Sequence, residues 1–200
     1  MLPFPSQPSR TQLTVLQTRS WTYRFGLAIV VMGALAVAMG ITAPLAVAAP
    51  ACDPLASWGS NRGDLASRVV GLVNGFRTHR GLRRLVVSPT LTASSRWKSL
   101  RMATSGIFAH EDRAPPVSRS AYQRALDCGY HGRSWAENIG FGYASPRSVV
   151  AGWLASPGHR ANIANPGFTS IGVGVAASRS GRLYWTQSFG DDVAPRTARK

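Results

Sequence analysis

Acidic residues are scarce in this 200-residue chain: eight stand against 23 lysines and arginines, for a formal charge of +15. Histidine is limited to four residues and cysteine to two. Two cysteines allow one intramolecular disulfide, and they form no CxxC motif. The sequence also lacks a Gly-x-Ser-x-Gly nucleophile elbow, a phosphate-binding loop, an HExxH pair and a Rossmann glycine fingerprint. Any site must therefore be assembled from residues distant along the chain. The basic residues, nearly all arginine, are scattered rather than gathered on one helix, and no zinc-finger spacing occurs, which argues against nucleic acid as a partner. The excess charge instead suits an anionic membrane or an acidic envelope polymer, or is a matter of composition.

The N-terminal segment explains part of this composition. Residues 1–24 contain Arg10, Arg19 and Arg24 and no acid, and they lead into the apolar run FGLAIVVMGALAVAMGITAPLAVAA. A basic lead followed by an apolar stretch reads as an export signal, with Ala46-Val47-Ala48 as the small-x-small cleavage pattern. The run also reaches the roughly 20 residues that span a bilayer, so residues 1–48 read as a signal peptide or as a retained membrane anchor. About 150 residues remain, enough for one domain with one core. Residues 49–63, rich in Pro, Gly and Ser, read as a linker, 64–191 as the domain and 192–200 as a basic tail. In an oxidising compartment, Cys52 and Cys128 read as one disulfide, with two free thiols as the other reading. The expected location is extracellular or in the cell envelope.

Helical spacing of Leu65, Val69, Leu72, Val73 and Phe76 predicts a first helix, with Asp64 as its N-cap and Gly81 as its stop. A short strand is expected at 85–88. Ser88-Pro89 then opens a second helix that ends at Gly106. SRSAYQRALD predicts a short third helix stopped by Gly129. Ser145-Pro146 opens a fourth, with Val149, Val150 and Trp153 on one face, that stops at Pro157. The period then changes to two: Ile171, Val173 and Val175 alternate with small residues, as do Leu183, Trp185, Gln187 and Phe189, across a turn at RSGR. This is a β-hairpin. Helices first and a hairpin last imply an α+β fold.

Three residues stand out chemically. Glu137 sits in WAENIGFGY, where a carboxylate is partly desolvated and a neighbouring charge decides its state. His110 follows an apolar Ile-Phe pair expected in the core. His159 follows the helix break in WLASPGHRANI. All three segments read as loops at helix ends, where sites collect. Each residue also has a plain structural reading: Glu137 bonding backbone amides, His110 at the core edge, His159 capping a short helix. Spacing alone does not bring them together.

Five motifs occur in a telling order: VNGFRTHRGLRRL, GIFAH, AENIGFG, WLASPGHRANI and FTSIGVGV…YWTQSFG. Over roughly residues 65–190 the chain resembles bacterial members of the CAP superfamily, which includes cysteine-rich secretory proteins, antigen 5 and pathogenesis-related proteins of class 1. The resemblance implies an α-β-α sandwich with a small antiparallel sheet between helical layers and a cleft that holds two histidines and two acids. By motif, His110 and His159 are the histidines and Glu137 is one acid. The other acid usually lies three residues after the helix tryptophan, and here Ser156 occupies that place. Gly158 is expected to turn the chain so that His159 faces His110, with Arg160 and Asn162 serving the turn and surface. Two imidazoles and a carboxylate suit zinc or another divalent ion. The resemblance also implies a lipid, sterol-like or other envelope ligand. The competing expectations are a metal-assisted, peptidase-like hydrolase and a protein whose cleft is vestigial.

Overall fold

The computed structural model describes residues 52, 58–114 and 117–192. The signal or anchor reading of residues 1–48 and the tail beyond Asp192 lie outside the described residues. Leu45–Lys200 forms one compact unit. The sheet, the core clusters and the disulfide all lie within it, so it contains what it needs to fold alone.

Among the described residues, five helices and seven strands follow in the order β1 (Ser60–Asn61), α1 (Gly63–Thr78), β2 (Val86–Val87), α2 (Pro89–Ser105), β3 (Asp112–Ala114), β4 (Val117–Arg119), α3 (Ala121–Asp127), β5 (Trp135–Phe141), α4 (Pro146–Ala155), α5 (Pro157–Ala164), β6 (Ser170–Ala177) and β7 (Leu183–Gly190). The expected helix ends are largely met. Ser88 caps α2 by accepting from the Leu91 amide, and Gly106 closes it with a left-handed φ of 71°. Ser145 and Ser148 form a reciprocal capping box on α4. At α1, Arg62 rather than Asp64 holds the N-cap position, and Asp64 pairs with the Arg62 guanidinium instead.

The main sheet runs β1-β6-β7-β5, with β2 pairing in parallel with one end of β6. β6 and β7 form the expected hairpin, in register from Ser170↔Gly190 to Ala177↔Leu183. Alternation along β6 divides the domain into layers. Ile171, Val173 and Val175 join Trp185 and Phe189 in packing against Val69 and Val73 of α1, Val149, Val150 and Trp153 of α4, and Ile163 of α5. Each such buried side chain contributes about 1.5–3 kcal/mol. Gly172 and Gly174 point to the other face, where α2 lies so close that Ser95 and Ser99 donate to their carbonyls at 3.2 and 2.8 Å. A second cluster on the α2 side unites Trp97, Leu100 and Met102 with Trp58 and Ile139. The result is an α-β-α sandwich.

Five expectations are corrected here. The helix break at Pro157 is a restart: α4 ends at Ala155, and α5 begins at Pro157 with proline at the position where a missing N–H costs nothing. Gly158 is therefore helical, without the left-handed φ found at Gly81, Gly106, Gly129, Gly142 and Gly181. The AENIGF stretch belongs to strand β5, which pairs along its whole length with β7 and ends before Gly142. Ile107 and Phe108, expected in the core, are exposed. The segment read as a linker also contributes structure: Trp58 is buried, and Ser60–Asn61 pairs with β6. Cys52 is bonded to Cys128, with 5.1 Å between their Cα atoms.

Candidate functional site

The site is built around β5, the strand at the end of the main sheet. Successive residues of a strand face opposite sides, so the adjacent Glu137 and Asn138 point into different layers. Glu137 opposes Ser188 on the α2 side, and Asn138 opposes Gln187 on the α5 side.

The Glu137 side chain is 1% exposed, and a buried carboxylate is tolerated only when paired and hydrogen-bonded. Arg124 of α3 supplies the pairing, its Nη2 donating to Oε2 at 2.5 Å. His110 approaches the other oxygen, with Nδ1 3.0 Å from Oε1. A carboxylate paired with a guanidinium only accepts, so Nδ1 carries a proton, and in the neutral ring Nε2 keeps its lone pair. The His110 side chain is 44% exposed, which leaves that lone pair accessible.

Arg124 is itself fully buried and extends the network: Nη1 donates to Asp112 Oδ1 at 2.8 Å and to the His110 carbonyl at 3.1 Å. Asp112 also accepts from Lys98 at 3.1 Å and Arg119 at 2.9 Å, and Arg119 reaches Asp127 at 2.5 Å. Burial, and then the neighbouring Arg124 charge, push the proton affinity of Lys98 down. Three buried cations thus meet three carboxylates, and His110 stands at the open end.

On the α5 side, Asn138 Nδ2 donates to the His159 carbonyl at 3.2 Å and to Gln187 Oε1 at 3.1 Å. Its Oδ1 accepts from Asn162 Nδ2 at 2.9 Å. Asn162, expected to serve the turn, instead fixes α5 to the sheet. His159 lies in the first turn of α5, half-buried, and its proton affinity is lowered first by desolvation and then by the His110 charge.

The structure thus brings His110 and Glu137 into direct contact, and it ties the His159 backbone to Asn138, the next residue of β5. Among the described residues, no group of three or more His, Cys, Asp or Glu side chains is placed to hold a metal ion. Each Glu137 oxygen accepts one hydrogen bond or ring contact, Oε2 from Arg124 and Oε1 at His110. Ser156 joins α4 to α5, with its amide bonded to the Gly152 and Trp153 carbonyls and its carbonyl accepting from the Arg160 amide. Its hydroxyl does not cap α5, and no hydrogen bond described joins it to a base. Sequence reasoning missed Arg124 and Asp112 altogether, and it gave Asn162 and Gln187 no part in the site.

Residues 70–189 match the family model for the cysteine-rich secretory protein family, CAP. YkwD of Bacillus subtilis is 39% identical over 122 residues, 61% of this chain and 45% of that protein. The membrane protein YlbC of the same organism is 29% identical over 123 residues, 61% of this chain and 33% of that protein. The chain therefore spans less than half the length of these curated relatives. The fold is shared with an extracellular SCP-domain protein of Bacillus anthracis, with a TM-score of 0.56 at 23% identity, covering 64% of this chain and 40% of that one. It is also shared with an outer surface protein of Borrelia burgdorferi, with a TM-score of 0.59 at 17% identity, covering 68% of this chain and 99% of that one. Matched over more than half its length and built as the same α-β-α sandwich, the chain belongs to the cysteine-rich secretory protein (CAP) family.

Proposed function

We propose that this is an exported, extracellular or envelope-associated protein whose CAP domain captures a divalent cation, zinc being the leading candidate, between His110 and His159. The carrying observation is the Arg124–Glu137–His110 relay: a buried carboxylate holds Nδ1–H and leaves Nε2 as an accessible lone pair. A carboxylate behind a ligating imidazole fixes the ring and raises its basicity. Lowered proton affinity keeps His159 in the neutral form that a metal needs. The donor set fits two imidazoles, with water or a ligand group completing the coordination; when bound, the ion would supply Lewis acidity at the cleft. The disulfide supports an oxidising location. So do the N-terminal segment and the likeness to an extracellular protein of B. anthracis and an outer surface protein of Borrelia burgdorferi.

The His110–Glu137 pair also has the form of a general base with its orienting carboxylate, which is the observation favouring the hydrolase reading. With Ser156 unactivated, the nucleophile in such a reaction would be water.

The test is a calorimetric zinc titration of residues 45–200, comparing wild type with the His110→Ala/His159→Ala variant at neutral pH. Binding of one ion at micromolar strength or better, lost in the variant, is expected. Equal behaviour of the two proteins would eliminate the metal reading and turn attention to a lipid-like ligand, assayed by lipid extraction.

A further inference from the structure

Large apolar side chains left in water carry information when they cluster. Among the described residues, those left exposed are Val87, Ile107, Phe108, Tyr122 and Phe141. Tyr122 rests beside Trp135 of β5, with 5.9 Å between ring centres. Phe108 and Phe141 form a pair of their own, with ring centres 4.8 Å apart, yet they remain 44% and 45% exposed. Ile107, 43% exposed, precedes Phe108 in the chain. Phe141 stacks in turn on the buried ring of Tyr184 at 6.1 Å, which anchors the pair to the sheet.

This ridge contributes to neither of the two large core clusters. Ile107 and Phe108 follow the Gly106 cap that ends α2, and Phe141 is the last residue of β5. The charge beside the ridge has one sign. Arg182 places its guanidinium 6.0 Å from the centre of the Phe141 ring. Arg179 is exposed on the same β6–β7 turn, which holds no acid. The exposed acid nearest Phe108 in sequence, Glu111, is occupied by Arg113 at 2.9 Å.

We propose that the Ile107–Phe108–Phe141 ridge, with Arg179 and Arg182, docks the domain peripherally on an anionic lipid bilayer. Aromatic and aliphatic side chains partition into the boundary between headgroups and acyl chains, and adjacent arginines gain from anionic phosphates there. The charge selects this occupant over a second copy of the chain. Pairing two copies through the ridge would bring arginines of like sign together on molecules that already carry a large positive charge. Among the described residues no helix is long and apolar enough to cross a membrane, so the ridge itself would meet the bilayer at its surface. Phe108 lies two residues before His110, and Phe141 lies four after Glu137, about 13 Å along the strand. The inference does not depend on what the cleft binds.

The experiment is co-sedimentation of residues 45–200 with phosphatidylcholine vesicles and with mixed phosphatidylglycerol/phosphatidylcholine vesicles at physiological salt. Wild type is expected to bind the anionic vesicles and to leave the neutral ones in solution. Phe108→Ser/Phe141→Ser and, away from the sheet, Ile107→Ser/Phe108→Ser should each weaken partitioning by about tenfold or more with an unchanged thermal midpoint. Arg179→Gln/Arg182→Gln should remove most of the dependence on phosphatidylglycerol. Absence of vesicle binding by wild type, or ring variants that sediment like wild type, would overturn the proposal. A wild-type dimer in sedimentation velocity that the ring substitutions dissociate would reassign the ridge to self-association.

Discussion

Arg124 and Glu137 meet at 2.5 Å with side chains 0% and 1% exposed, 13 residues apart in sequence and on different elements. Removing one partner of such a pair leaves a buried charge without compensation. Arg124→Met or Glu137→Gln is therefore expected to cost about 3–5 kcal/mol in urea unfolding. The double variant Arg124→Met/Glu137→Leu should cost clearly less than the sum of the separate Arg124→Met and Glu137→Leu losses. Simple additivity in that cycle would mean that the two groups are not energetically coupled.

A methyl group on Gly174 would lie 2.2 Å from the Ser95 carbonyl oxygen and 2.4 Å from the Arg96 nitrogen, both backbone atoms of α2. No rotamer change relieves such a clash, so α2 must lift from the sheet. Gly174→Ala is expected to destabilise by about 3 kcal/mol, the upper end of ordinary overpacking. Gly71 offers the contrast. It lies inside α1 with nothing within 4 Å of the added carbon, and Gly71→Ala should stabilise by about 0.5–1 kcal/mol. Thermal melts of the two variants should move in opposite directions.

The Cys52–Cys128 bond spans 76 residues of sequence. Chain-entropy reasoning gives about 4 kcal/mol for a loop of that length. Cys52→Ser/Cys128→Ser should therefore lower the urea midpoint substantially. Near-ultraviolet circular dichroism should still report a packed native state, because Trp58 holds the N-terminal approach against Trp97 independently. A midpoint unchanged by the substitutions would show that the bond adds little to a chain already held there.

His159 supplies a pH signature in metal-free protein. Desolvation, followed by the His110 charge, lowers its proton affinity in the fold below the ordinary value near 6.5. Between the lowered folded value and the unfolded one, the unfolded chain binds more protons, so stability rises with pH across that window. The contribution is complete above the unfolded value, is lost as pH falls through the window, and is level below it. His159→Gln should flatten that part of the stability profile measured by urea unfolding, and an unaltered slope would assign the effect elsewhere.

The layered fold was largely legible because its devices are local. Ile171, Val173 and Val175 alternate with glycine, and Ser88-Pro89 and Ser145-Pro146 announce helix starts. Two misreadings have separate causes. Ser156-Pro157 is a third Ser-Pro opening, but proline after an apolar helix reads as a stop. β5 reads as a loop because Glu137 and Asn138 place polar groups on both faces and erase the period of two. Glu137 was noticeable among apolar neighbours, whereas Arg124 resembled any other arginine. Only the packing of α3 shows which arginine is buried. Ile107 and Phe108 were assigned inward on hydrophobicity alone, which does not distinguish a core pair from a surface ridge.

The opposite orientations of Glu137 and Asn138 have a consequence for assembly. His110 is fixed through the layer containing α2 and α3, and the His159 backbone through the layer containing α5, so the two imidazoles take up their relative positions only when both layers have docked on β5. A ligand that needs both rings would report completion of folding. It would also act as a clasp between the layers, and its affinity would add to the free energy that keeps them together.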